Sequence, residues 1–290
     1  MDIANKTKEL CRLYDIRPAR SKGQNFLIEE KIYDEIVAAA DIRPDDLILE
    51  VGPGLGFLTE KLAAKAGRVV AVELDKKLAE VLQTKIIAQK LNNVSVANED
   101  ILRFDLKNFS GGLFRKQPYK IVANLPYNIT SIFLRNFSEI EFKPEVMILM
   151  LQKEVAERIA ARPPDMSVLS IALQFYSEPK IILEVPSENF WPRPEVDSAV
   201  IEIKLLNPAA WREKYQTDYP PEKEFFRLVR MGFAAKRKML KNNLAAGLKI
   251  SAAESEKILV KCGYNVKIRS QELSVSDWLI LFANFRGFMI

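Results

Sequence analysis

The run Lys120-Ile-Val-Ala-Asn-Leu-Pro-Tyr-Asn-Ile-Thr130 holds the residue types best suited to chemistry on a planar base. Ile121 to Ala123 are apolar and read as the end of a short buried strand, and Pro126 stops any further ladder. The turn that follows offers an amide at Asn124, a main chain stiffened through Leu125 and Pro126, and an aromatic ring at Tyr127. The Asn124 side-chain oxygen and a nearby carbonyl can each accept one hydrogen of an exocyclic amine while Tyr127 stacks on the base. The alternative is a strand-to-helix loop in which Asn124 caps the next helix and Tyr127 packs in a core.

The elements needed to position that turn lie mostly before it. Leu47–Val51 reads as a buried strand, followed by Gly52-Pro-Gly54-Leu-Gly56 and a helix from about Phe57 to Lys65. In this E-x-G-x-G-x-G pattern the glycines let the main chain turn tightly and approach a ligand, and the helix start offers N–H groups to negative charge. Such a glycine pattern is weak alone, but here a strand precedes it and a helix follows. The next strand ends in Glu73, 17 residues after Gly56. An acid there takes ribose hydroxyls in a nucleotide fold, or else it is a solvated strand end. A helix over 76–89 and a strand over 94–97 lead to Asn98-Glu-Asp-Ile101, where Asp100 either accepts from an adenine amine or caps the turn before Leu102. Four strands thus each carry a polar feature at the carboxyl end, where open α/β sheets bind ligands.

The first twenty or so residues are polar and mixed, and read as a flexible basic arm with Arg20 and Lys22 leading into Gly23-Gln-Asn-Phe-Leu27. That arm either lies across a ligand and a nucleic-acid backbone or is a terminus whose Phe26 and Leu27 dock on the core. After Asn124, Val146–Leu151 reads as a strand, with a helix beginning near Gln152, a loop at 162–165 and strands from Ser170 to Ile182 and Val196 to Lys204. The proline-rich loop between the last two holds Phe190 and Trp191, either a second wall for a flat substrate or a hydrophobic plug. A linker over 207–223 divides a catalytic domain, 1–207, from a helical domain, 208–290. The first helix of the latter carries Arg227, Arg230, Lys236, Arg237, Lys238 and Lys241 with no acid between 227 and 241. A solvated face is the ordinary reading, but six unbalanced cations point to phosphate contacts. Ser274-Val-Ser-Asp277 reads as a capping box opening the last helix.

Composition bounds the chemistry. The 290 residues are 48% hydrophobic and 28% charged, ordinary for a soluble globular protein. No apolar run approaches the roughly 20 residues that span a bilayer, and the N-terminus has no apolar signal core, so a cytoplasmic protein is expected. Two distant cysteines suggest neither a disulfide framework nor a zinc site. The complete absence of histidine excludes His-dependent triads and His metal sites. A net charge of +5 permits a polyanionic partner.

Taken in order, GQNFL, LEVGPGLGFLT, VVAVELD, NED, NLPYNIT, MLQKEVAERI, FWPRPEVDSAV and GFAAKRKML resemble the KsgA-type ribosomal RNA adenine dimethyltransferases over residues of about 17 to 285. The resemblance implies an α/β fold: a Rossmann-like sheet of the class I S-adenosylmethionine-dependent methyltransferases with a small C-terminal helical domain. It implies cofactor contacts at Asn25, Leu27, Gly52, Gly54, Glu73, Leu74, Asp100 and Ile101, with Asn124 shared between cofactor and target amine. It makes Tyr127 and Phe190 the two rings that sandwich a flipped adenine. The implied substrate is small-subunit rRNA in an immature 30S particle, dimethylated at two adjacent adenines near its 3′ end. S-adenosylhomocysteine is the implied by-product, without a metal, and the protein is expected to be a monomer. Two departures stand out: RPPDMSVLS lacks the Tyr-Gly pair of many relatives, and Arg20-Ser21-Lys22 is a weaker cation cluster than theirs.

The missing histidine is no obstacle to this chemistry. The sulfonium methyl of S-adenosylmethionine is already activated, so alignment and water exclusion are what the protein must add. The amine nitrogen becomes acidic only as it gains the methyl, so a strong base is unnecessary. A base must leave its stack to reach the cofactor, at a cost of a few kcal/mol. Stacking returns about 1–3 kcal/mol per base. Two other readings share parts of the pattern: a non-catalytic RNA- or DNA-binding assembly or transcription factor, and an adenine methyltransferase acting on DNA or large-subunit rRNA.

Overall fold

The structure, a computed structural model, describes residues 2–18 and 24–289. The chain forms two compact units, Met1–Ala156 with Glu178–Leu205, and Glu157–Ser177 with Leu206–Ile290. The second unit therefore takes in a segment, Glu157–Ser177, that the sequence reading leaves with the first domain.

The first unit opens on α1 (Ile3–Leu13), capped by Asp2, whose carboxylate accepts from Asn5 N–H at 2.7 Å. Ile3, Thr7 and Cys11, four apart, are its buried face. This corrects the reading of a flexible arm for that stretch; Arg20 and Lys22 lie outside the described residues. The unit continues through β1 (Phe26–Leu27), α2 (Glu30–Ala39), β2 (Leu47–Val51), α3 (Phe57–Ala63), β3 (Arg68–Val72), α4 (Lys76–Gln89), β4 (Val94–Ala97), a kinked α5 (Phe109–Lys116), β5 (Tyr119–Asn124), α6 (Thr130–Glu139) and β6 (Val146–Gln152). After α7 (Lys153–Ala160) and α8 (Val168–Tyr176) come β7 (Ser177–Val185), β8 (Phe190–Trp191) and β9 (Ser198–Leu205).

Seven strands form one sheet in the order β4-β3-β2-β5-β6-β9-β7, while β1 and β8 make a separate antiparallel pair. Strands β4, β3, β2, β5 and β6 run parallel and β9 runs antiparallel to β6. The chain order reverses between β2 and β5, so a crevice is expected at their carboxyl ends. Ile48, Leu49, Val69, Val70, Ile121 and Val122 are wholly buried, as central parallel strands require. A buried cation, Lys120 of β5, is held by the carbonyls of Ala40 and Asp41 at the end of α2 and pairs with Asp46 at 2.7 Å. A cation there also suits the negative end of the helix.

The second unit is helical. With α8 it comprises α9 (Pro208–Tyr215), α10 (Glu222–Gly232), α11 (Leu240–Leu248), α12 (Ala252–Lys261) and α13 (Val275–Phe285), around a core of Phe175, Trp211, Phe225, Leu244 and Trp278. Ser274 and Asp277 form the expected capping box. Three local expectations are corrected. Of the strand expected from Ser170 to Ile182, residues 170–176 belong instead to α8, because Ser167 and Ser170 form a reciprocal cap that starts a helix, while 177–182 are strand. The expected linker contains α9, started by the Asn207 side chain, which accepts from Ala210 N–H. The basic run is not one helix: α10 ends at Gly232, and Lys236, Arg237 and Lys238 occupy the turn before α11. Among the described residues no helix is long and apolar enough to cross a membrane.

Candidate active site

A cavity at the carboxyl ends of β2, β3 and β5 is lined by Asn25, Leu27, Gly52, Gly54, Glu73, Leu74, Asn124, Leu125, Pro126 and Tyr127. Residues from widely separated stretches of the sequence thus meet around one cavity. Gly52 follows β2 with φ +65, and its N–H donates to Val72 O. A Cβ at Gly52 would sit 3.8 Å from Asn124 O, facing the β5 turn. That separation is ordinary contact, so it is the left-handed backbone that calls for glycine here.

Glu73 is only 6% exposed, and its carboxylate accepts from Gly54 N–H at 3.1 Å and Asp75 N–H at 2.8 Å. Burial raises its pKa, and these N–H donors oppose the rise. The two bonds tie the glycine turn to the end of β3. Asn98 braces the same loop from β4, donating to the carbonyls of Glu73 and Leu74. Leu74 itself is 64% exposed, an apolar surface beside the acid.

Asn124 ends β5, and its Nδ2 donates to the Asn25 carbonyl at 3.4 Å. With the donor side of the amide so directed, Oδ1 is the acceptor the side chain offers. Leu125 N–H donates to Met150 O, which fastens the turn to β6. Tyr127 is half-buried and lines this cavity and a neighbouring one formed with Asn25, Gln152, Arg193, Pro194, Glu195 and Val196.

Three expected residues stand apart from that lining. Asp100 turns its carboxylate to Leu102 N–H at 2.9 Å, the capping alternative, and Ile101 beside it is buried. Phe190 is 3% exposed within the core, paired across β1–β8 with Leu27, so its ring takes the plug position. The basic residues Arg227, Arg230, Lys236, Arg237 and Lys238 are all exposed in the second unit.

The sequence reading passes over Glu50. It lines the cavity at 1% exposure, neither carboxylate oxygen has a hydrogen-bond partner in good geometry, and burial pushes the group up to about 8. The Thr59 hydroxyl beside it moderates the rise, while the charge of Glu73 adds to it. The signal was present: an acid inside an otherwise apolar, doubly covered parallel strand has no structural reason to be there.

The sheet order, the glycine turn after its first strand and the acid after its second define a class I methyltransferase fold. Solved structures agree. The chain is similar to a dimethyladenosine transferase from Plasmodium falciparum (25% identity, 90% of this chain and 98% of that one, TM-score 0.75). It is also similar to the 23S rRNA methyltransferase ErmE (26% identity, 90% and 100%, TM-score 0.70). A curated relative, the ribosomal RNA small subunit methyltransferase A of Dehalococcoides mccartyi, is 41% identical over 95% of this chain and 91% of its own. That of Alkaliphilus oremlandii is 38% identical over 96% of each. The ribosomal RNA adenine dimethylase family model matches residues 17–284, and the chain belongs to that family.

Proposed function

We propose that this enzyme uses S-adenosylmethionine to dimethylate the exocyclic amines of two adjacent adenines near the 3′ end of small-subunit rRNA, within an immature 30S particle. The observation that carries the reading is the convergence of Asn124, Leu125, Pro126 and Tyr127 on the cavity that also contains Gly52 and Glu73. The naming of the curated relatives for the small subunit supports the choice of substrate.

The residues present fit the cofactor. Gly52 and Gly54 allow a close main-chain approach, Glu73 is placed to accept ribose hydroxyls, and Leu74 offers an apolar face to a base. The unpartnered Glu50 carboxyl suits a ligand that brings positive charge into the cavity. When bound, the sulfonium supplies an activated methyl group. The protein's own part is alignment. Asn124 Oδ1 and the Leu125 carbonyl accept the two amine hydrogens and favour a pyramidal nitrogen with its lone pair exposed. Tyr127 stacks on the extruded base. Phe190, buried in the core opposite Leu27, acts as a plug rather than forming the opposite face. Asp100 and Ile101 contribute at the adenine end by shaping the turn after β4. Arg227, Arg230 and Lys236–Lys238 contact rRNA phosphates, with Arg20 and Lys22 adding to that grip. The enzyme acts in the cytoplasm, as a monomer and without a metal.

Incubation with labelled S-adenosylmethionine and, separately, undermethylated small subunits, large subunits and DNA tests this. Dimethyladenosine confined to the small subunit is the expected result. Label on large-subunit rRNA or DNA overturns the substrate, and binding of RNA and cofactor without label anywhere overturns the enzyme.

A further inference from the structure

The Tyr127 ring sits on a turn, and a ring on a turn is held in a stacking pose only if something fixes its side-chain torsions. The main chain is anchored by Leu125 N–H to Met150 O and by Ile129 N–H to Pro126 O, neither of which reaches the ring. What does reach it is Ser198: the two hydroxyls share a hydrogen bond of 2.8 Å. Ser198 is fully buried at the start of β9, opposite Gln152 of β6 in the sheet register. It is thus a rigid point on the scaffold, 71 residues from the ring it touches.

The loop before Ser198 is itself fixed. The Asp197 carboxylate accepts from Ser187 N–H at 2.9 Å, and the Asp197 carbonyl accepts from Lys153 N–H. Arg193 Nε donates to the Ser187 hydroxyl at 3.0 Å. Two of those bonds close residues 187–197 on themselves and the third ties them to the start of α7, while Arg193 to Val196 face the same cavity as Tyr127. The Tyr127 ring is thus tied, through the Ser198 hydroxyl, to the strand that follows directly on the proline-rich loop.

We propose that Ser198 is a positioning residue for methyl transfer, its buried hydroxyl fixing the Tyr127 ring in the pose that stacks the target base. This rests on the base-stacking reading of Tyr127 given above. A ring that wanders by a fraction of an ångström presents the amine off the line of displacement, and alignment is what the site contributes.

The test compares Ser198→Ala, Tyr127→Phe, the double variant and Tyr127→Ala. Turnover and KM are measured with undermethylated small subunits, and cofactor affinity is measured separately by calorimetry. Ser198→Ala and Tyr127→Phe each remove the same bond, so each is expected to lower kcat/KM for RNA about five- to ten-fold. Cofactor affinity stays within two-fold, and the double variant is no worse than either single one. Losses that add, or wild-type rates in both single variants while Tyr127→Ala is inactive, overturn the role of Ser198 and leave stacking intact. Full activity of Tyr127→Ala overturns the stacking reading itself. Should Ser198→Ala fail to fold, Tyr127→Phe decides alone, a wild-type rate contradicting the proposal.

Discussion

The cavity of the first unit and the basic turn of the second make opposite physical bargains. Around the cavity the chain buries an unpartnered acid at Glu50, holds Gly52 in a left-handed conformation and sinks Glu73 to 6% exposure. The two buried acids each work against folding taken alone, and Gly52 occupies a conformation that any other residue would hold only under strain. At residues 233–239 the cations Lys236, Arg237 and Lys238 are exposed, and the helices either side pack around Trp278 without using them. Chemistry on a small reacting centre needs groups that are buried and individually costly. Attachment to a polyanion needs groups that are solvated and effective only in number.

On that contrast, replacing cavity residues shifts stability and affinity sharply, while replacing turn residues shifts only salt-dependent binding. The largest effect is expected at Glu50. Its carboxyl has an ordinary value of 4.5 when unfolded and about 8 when folded, so folding favours the protonated form. Stability from this group is full below pH 4.5, falls as pH rises and is lost above about 8. Each pH unit crossed between those two values removes about 1.4 kcal/mol. Glu50→Gln, which cannot ionise, is therefore expected to stabilise the ligand-free protein by a few kcal/mol at pH 8.5 and to change it little at pH 4.5. Urea unfolding at the two pH values measures this, and a variant less stable than wild type at pH 8.5 would end the account of Glu50.

Next comes Gly52→Ala. A φ of +65 costs a non-glycine residue about 1–2 kcal/mol, and the added methyl faces Asn124 O. Calorimetry should show S-adenosylmethionine binding weakened about ten-fold or more, with the overall fold retained. The smallest effect on stability belongs to the triple change of Lys236, Arg237 and Lys238 to Ala, expected within about 0.5 kcal/mol. Its signature is instead a fall of about two in the slope of log affinity against log salt for small subunits. An unchanged slope would assign the turn a structural role.

The two regions also differ in how much of them can be read from sequence. The sheet and its glycine turn are legible because strand, turn and helix signals there are local and agree with one another. The place of Asn124 and Tyr127 at the cavity is legible because Pro126 ends the apolar strand just there, although those residues alone fit a helix cap and a core ring as well. Glu50 is only half legible: a charge in an apolar strand marks it as unusual, but the groups that face it, Thr59 of α3 and Glu73 after β3, come from other elements. The alternatives for Phe190 separate only through pairing: Leu27 stands opposite it across β1–β8, residues 163 positions apart in the chain. In the second unit, apolar runs such as 168–176 fit a buried strand or a buried helix equally well, and only the Ser167–Ser170 cap distinguishes them. The break at 233–239 is hidden in the sequence because Gly232 ends the helix without interrupting the run of cations.

The most direct measurement is Asn124→Ala with two readouts on the same preparation: cofactor affinity by calorimetry, and dimethyladenosine formed on undermethylated small subunits. Loss of an aligning acceptor should lower turnover by about 10²–10³-fold while cofactor binding stays measurable. Turnover near the wild-type rate would contradict the assignment of Asn124 as the residue that holds the target amine.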